Sequence, residues 1–460
     1  MNEIYVLLTP GWDGEKIPTL QVEISAKTEI KEGEMLFFIN ERTIFKPFTK
    51  LKGKINIKDE IGALDYSCVL EEEGPILIKK FMASRENKGK WVISYDLILE
   101  PCGVNPVFDL GWEKGGMTGA GMTFMPQFSE GIYDYTMDWN LSQLPMGAIG
   151  AWSYGEGKVE RSGDGSVLRA TFYAAGEMDR VCFGRFNYYW FENEKMLSTA
   201  VEAAKIFKLE SEFFLDQNEP YTIFTRHTSA ESGKAGGTAL LRSYMYLYKE
   251  SAQLDKHWLK FLFAHEMVHN WITMDDTPFG TCTWYVEGMA EFYSILLPWR
   301  THVASGDEVC NELNKRASEF YENPQIHCTN LEAGRKLMTD AELTKIPYGR
   351  GFFYLLHADA MIRRATQGRH CLDDITIKLM KRQREIEKIG NEDWLQEYGN
   401  FVGMEQARRE YEDFSSGGDV LPVVDCFEGG IGMEEVIGRQ RNSGKPCRMW
   451  RFYDRGTFSE

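Results

Sequence analysis

At 460 residues the chain is too long for one hydrophobic core and implies two to four domains, which its 43% hydrophobic and 13% aromatic content can fill. Its 69 acidic residues outweigh 52 basic ones, and the net charge of −17 disfavours nucleic acid and anionic membrane surfaces as partners. No run reaches membrane-spanning length, Met1 to Tyr5 lack the basic and then apolar pattern of a signal peptide, and nine scattered cysteines without a CxxC pair read as reduced thiols, so a cytoplasmic location is expected.

Alternating apolar and polar residues over 20–25, 91–99 and 133–139, punctuated by turn clusters, predict a mostly antiparallel β domain of sandwich or saddle type over residues 1–176. The glycine-rich run from Gly111 to Gly121 has neither a Lys-Ser/Thr ending nor a GxGxxG helix entrance, so it is expected to be a turn or loop and not a phosphate cradle. Helical spacing begins near Glu194, with Met196, Ala200, Ala203, Ala204 and Phe207 on one face. A strand at 221–225 is followed by Gly236, Gly237, Thr238 and Ala239 and an extended run to Leu247. An exposed edge here would lend main-chain hydrogen bonds to an extended peptide; the alternative is an ordinary hairpin. Beyond Leu297-Pro298 the pattern is helical to about Phe414, with a buried helix over 351–362 and an amphipathic one over 372–386. The last forty or so residues, 416–460, receive no assignment.

The chemistry concentrates between Leu259 and Tyr293. In His265-Glu266-Met267-Val268-His269 the two histidines stand four apart, on one helical face, and can aim two imidazoles at one ion while Glu266 projects beside them. Trp258, Leu259, Phe261, Leu262, Phe263 and Ala264 before the motif, and Trp271 and Ile272 after it, make the helix apolar nearly all round, hence buried. Two histidines and a glutamate in that setting are costly without a metal or partner. A tetrahedral zinc needs a third protein ligand, commonly a carboxylate from a second helix, and Glu287 in Trp284-Tyr285-Val286-Glu287-Gly288 is the candidate. Glu291, one turn further, is placed to accept a hydrogen bond from a ligating histidine; a solvated helix glutamate is the plainer alternative.

These residues resemble the glycyl aminopeptidase family of gluzincin metallopeptidases, relatives of aminopeptidase N and, more distantly, of thermolysin. The likeness extends to Asp109-Leu110-Gly111-Trp112-Glu113-Lys114-Gly115-Gly116, to Trp139-Asn140-Leu141-Ser142-Gln143-Leu144-Pro145, and to Tyr348-Gly349-Arg350-Gly351 followed by Ile362-Arg363-Arg364. It implies an α+β multidomain chain: the N-terminal antiparallel β domain, a thermolysin-like catalytic α/β domain over 177–300 and a C-terminal helical domain over 301–415. It also implies Zn2+ as cofactor, a peptide or small amide as substrate, and Tyr348 as donor to a tetrahedral oxyanion; a buried structural tyrosine is the competing account. Enzymes of this family carry a Gly-Gly-Leu-Glu-His-like run whose glutamate is expected to hold the substrate's free amine. Here the run reads Gly236-Gly237-Thr238-Ala239-Leu240, without that carboxylate, and the nearby Arg226, His227 and Glu231 match nothing in the pattern.

The expected reaction is zinc-dependent hydrolysis of an amide bond, with Glu266 as general base, by a peptidase without strict aminopeptidase specificity. Two alternatives stand beside it: a gluzincin-fold metalloenzyme turned to a non-peptide small molecule in a biosynthetic pathway, and a non-catalytic zinc-containing binding protein. An intact Glu266 argues against the last, since a structural zinc site needs no base.

Overall fold

The computed structural model describes residues 2–43, 46–73, 76–103, 107–193, 195–228, 236–249, 256–385 and 387–456. The chain divides into two compact units, one of Met1–Ala204 with Asn218–Leu254, the other of Lys205–Gln217 with Asp255–Glu460. Among the described residues, no helix is long and apolar enough to cross a membrane.

The first unit is built from sheets. Seven strands lie in the order Val159–Asp164, Ile132–Trp139, Asn2–Gly11, Thr19–Lys27, Trp91–Ile98, Asn56–Asp59 and Gly62–Ala63, antiparallel but for the Asn2–Gly11/Ile132–Trp139 pair. Alternation in sequence becomes alternation in burial: Trp91, Ile93, Tyr95 and Leu97 face a core shared with Val6, Leu8, Val22, Ile24 and Met137, while their neighbours are half-buried. The glycine-rich run is no loop. Gly111–Glu113 and Gly116–Ala120 pair as buried strands of a six-stranded sheet, because a Cβ at Gly116 would lie 1.9 Å from the Phe191 ring and one at Gly121 1.9 Å from the Leu168 carbonyl oxygen. Glycine is there for close packing, not for anion binding.

The unit also holds a three-stranded sheet of Met35–Arg42, Ile76–Ala83 and Tyr66–Glu73 and a five-stranded one, in the order Asp179–Phe183, Phe186–Trp190, Tyr221–Thr228, Ser243–Lys249 and Gly236–Leu240. Among the described residues Gly236–Leu240 is its edge, pairing antiparallel on one side only, with Ala239 opposite Tyr244. Arg226 is fully buried. Its guanidinium donates to Asp109 Oδ1 at 2.6 Å and to the Asp109 and Thr118 carbonyls, which ties the Tyr221–Thr228 strand to the 109–118 hairpin. Glu113, also buried, accepts from the His227 backbone N–H at 2.7 Å and the Thr118 hydroxyl at 3.3 Å. Arg226 thus does structural duty and the His227 backbone joins the same network; Glu231 lies outside the described residues.

The helices are α1 (Met196–Phe213), which runs from the first unit into the second, then α2 (Lys256–Val268), α3 (Thr283–Arg300), α4 (Gly306–Tyr321), α5 (Asn330–Arg335), α6 (Ala341–Thr366), α7 (Leu372–Arg384), α8 (Asn391–Val402) and α9 (Met404–Ser415). Trp271, just beyond α2, stacks on Phe207 and Phe214 at 6.3 and 5.0 Å between ring centroids and donates its indole N–H to Asp216 at 2.8 Å. This clamps the chain leaving α2 against 205–217. The unassigned tail is not irregular: Ile431–Arg439 and Pro446–Asp454 form an antiparallel hairpin on α4, where the Asn314 side-chain amide makes both backbone hydrogen bonds of Phe452 as a neighbouring strand would.

Candidate metal centre

Three helices of the second unit build the site. α2 presents Leu259, Phe261, Phe263, Ala264, Met267 and Val268 to the interior, so the same helix carries His265 inward with them. The helix ends at Val268, and His269 sits in the closing turn, where Asn270 N–H donates to the Met267 carbonyl and Trp271 N–H to that of Val268. That turn keeps His269 on the face of His265, with ring centroids 5.0 Å apart. α3 delivers Glu287 and Glu291 from a helix buried almost throughout.

α6 supplies Tyr348, and its position depends on two glycines. A Cβ on Gly351 would lie 2.1 Å from the Trp284 carbonyl oxygen, and one on Gly288 2.6 Å from the Gly351 carbonyl carbon, so α3 and α6 cross backbone against backbone. Glu287 is one residue from that crossing and Tyr348 three. Tyr348 lies flat on the His265 ring, at 5.6 Å and 8°, and its hydroxyl helps to hold the charge of Glu287.

One ligand atom from each of His265, His269 and Glu287 lies within 4.8 Å of the other two. Glu287 Oε2 is 3.4 Å from His265 Nε2 and 3.7 Å from His269 Nε2. It is buried and has no hydrogen-bond partner, because both contacts are too long and poorly directed. Donors bound to a tetrahedral zinc at about 2.0–2.1 Å stand roughly 3.3–3.4 Å apart, the edge of the tetrahedron. Two nitrogens and an unsatisfied carboxylate oxygen near that spacing fit the ion in number, type and separation, and Glu287 Oε2 is the atom that most needs it.

Behind the donors, Glu291 Oε1 lies 3.5 Å from His265 Nδ1, and its other oxygen accepts from Arg316 Nε, while Arg316 also pairs with Glu312. Sequence reasoning missed Arg316 and Glu312. The signal was there: on amphipathic α4 the buried stripe runs Val309, Cys310, Leu313, Ala317 and Phe320, and a buried arginine and glutamate among these positions imply a partner charge from another helix. Lys345, its ammonium 4.9 Å over the Tyr348 ring, was likewise unmarked.

The electrostatics distinguish the three carboxylates and two histidines of the centre. Burial lifts Glu266 to about 7, aided by the charges of Glu287 and Glu291 and only partly offset by His265 and Lys345. For His269 burial also dominates and depresses it to about 4, so it is a neutral imidazole at neutral pH. His265 is equally buried, but Glu287, Glu291 and Glu266 outweigh that and raise it. Burial works against the ionised forms of Glu287 and Glu291 too, yet the histidines hold the first low and Arg316 the second. The centre therefore keeps Glu287 charged for a cation while leaving Glu266 able to exchange a proton near neutrality.

No family model and no curated protein matches this sequence. Solved structures do match. An aminopeptidase N family protein from Idiomarina loihiensis aligns over 95% of this chain and 80% of its own at a TM-score of 0.70 and 12% identity. An M1 zinc metallopeptidase from Deinococcus radiodurans aligns over 92% and 94% at 0.55 and 14%. The leukotriene A4 hydrolase of Saccharomyces cerevisiae aligns over 92% and 68% at 0.56 and 12%. At these identities the likeness is one of architecture, and the chain has the α+β multidomain fold of the aminopeptidase N-like M1 zinc metallopeptidases.

Proposed function

We propose that the protein is a zinc-dependent hydrolase of amide bonds acting on peptides, with His265, His269 and Glu287 holding the metal. The observation that carries this reading is the convergence of three donor atoms, one of them the buried, unpartnered Glu287 Oε2, with Glu266 between the two histidines on their helical turn. Zinc, when bound, supplies Lewis acidity, which makes a nucleophile of water at neutral pH and polarises a carbonyl. Glu266 takes a proton from the attacking water and returns it to the departing amine. Tyr348, kept protonated by burial and by Glu287, donates its O–H to the carbonyl oxygen as charge develops there. Glu291, fixed by Arg316, orients His265 through Nδ1.

A peptide substrate has support from two sides. A mutant of the Deinococcus enzyme has been crystallised with a Tyr-Ser-Ala substrate, and a mutant two-domain M1 zinc metallopeptidase with L-tryptophan and with L-arginine. In this chain the Gly236–Leu240 strand offers an unpaired edge to an extended main chain. Ala239 offers no charge to a free amino terminus, so a free-amine substrate and its N-acetylated form should differ by less than about tenfold in kcat/KM. A preference above about a hundredfold for the free amine would mean that another group anchors it. The same missing carboxylate supports a second reading, a small non-peptide amide or ester as substrate. Screening the zinc-loaded protein against peptides, blocked peptides and small amides separates the two. Glu266→Gln decides the mechanism: metal and fold stay, turnover is lost, and retained hydrolysis in clean protein would overturn it.

A further inference from the structure

A cavity of about 460 Å³ opens in the second unit between α6, α9, the segment after α9 and the C-terminal hairpin. None of His265, Glu266, His269, Glu287 or Tyr348 lines it, so it is separate from the metal centre. Its volume is that of small-molecule sites. Its walls are aromatic and thioether: Tyr354 stacked on Phe414 at 4.0 Å, Trp450, Met361 and Met433. The Trp450 ring also carries the Arg448 guanidinium, 5.1 Å from its centroid.

The charges around this apolar interior are mostly of one sign. Glu410 is fixed by the Tyr398 hydroxyl at 2.6 Å and the Gln406 amide at 2.8 Å, with His357 Nε2 at 3.6 Å. Asp413 and Asp419 are exposed at the cavity and form no ion pair among the described residues. Of the guanidinium groups here, Arg364 in the lining is paired with Asp425 at 3.1 Å, and Arg448, over the Trp450 ring and within the field of Asp419, with Glu435 at 2.7 Å. An anion is repelled here, whereas an organic cation gains both the carboxylates and the aromatic faces. The geometry points to a second ligand site, taking a small molecule with an apolar, preferably aromatic, body and a protonated amine turned to Asp413 and Asp419.

Calorimetric titration of the metal-loaded protein with phenylalaninol tests this, with 3-phenylpropane-1,2-diol as the neutral counterpart that lacks only the amine. Phenylalaninol should bind saturably and the diol about tenfold more weakly. The double variant Asp413→Asn/Asp419→Asn, altered only at exposed carboxylates and expected to fold normally, should lose affinity for the amine about five- to tenfold and leave the diol unchanged. No saturable binding at millimolar concentration, equal binding of amine and diol, or wild-type affinity of the double variant for the amine would each overturn the proposal.

Discussion

At the scale of single residues, the roles proposed for Glu287 and Glu291 separate by what each removal leaves behind. Glu287→Ala takes away a donor, as do His265→Ala and His269→Ala, and each should lower zinc occupancy sharply in metal analysis of purified protein. Glu291→Ala leaves three donors but frees His265 to turn, and should weaken zinc by about ten- to a hundredfold in competition with a chelator. Full zinc in Glu287→Ala with loss in Glu291→Ala would reverse the assignment. A different residue governs stability. Glu113 is buried and its pKa is raised from 4.5 to about 7, because burial outweighs the pull of Arg226. A raised carboxyl binds its proton more tightly folded than unfolded, so its contribution is full below about pH 4.5 and is lost as pH rises through 7. Urea unfolding should show a decline between those limits that is smaller by up to a few kcal/mol in Glu113→Gln than in the wild type.

At the scale of elements, the α3–α6 crossing carries the site. In an exposed helix Gly→Ala stabilises by about 1 kcal/mol. Gly351→Ala should do the reverse, because its Cβ meets the backbone of α3, which cannot step aside as a side chain can. A net loss of about 1–3 kcal/mol is expected by denaturant titration, together with weaker zinc binding as Tyr348 and Glu287 separate. A neutral or stabilising result would mean that the crossing has slack. Much at this scale is legible from local pattern: the strands at 20–25, 91–99 and 133–139, the helix carrying Met196 to Phe207, and the histidine pair all follow from spacing alone. What is not legible depends on partners far away in sequence. Arg316 makes sense only beside Glu291, the glycines of 111–121 only against Phe191 and Leu168, and the C-terminal hairpin only on the α4 surface that completes its edge.

At the scale of the whole molecule, one cluster of donors is found among the described residues, so zinc should bind at one ion per chain. Its removal should be felt unequally. Hydrogen exchange after chelation should lose protection in α2, α3 and the start of α6, and leave the seven-stranded sheet of the other unit as it was. A uniform loss would show that the two units unfold as one. The division of the chain also bears on how the protein is made. Residues 205–217 belong with a unit that is otherwise synthesised only after residue 254, while 218–254 return to the first. The second half of α1 must therefore wait on the ribosome for Trp271 and Tyr293, the rings that cover Phe207, Phe213 and Phe214. At bacterial-to-eukaryotic elongation rates that interval is on the order of ten seconds, during which an apolar helix face stands open to chaperones or to a neighbouring nascent chain.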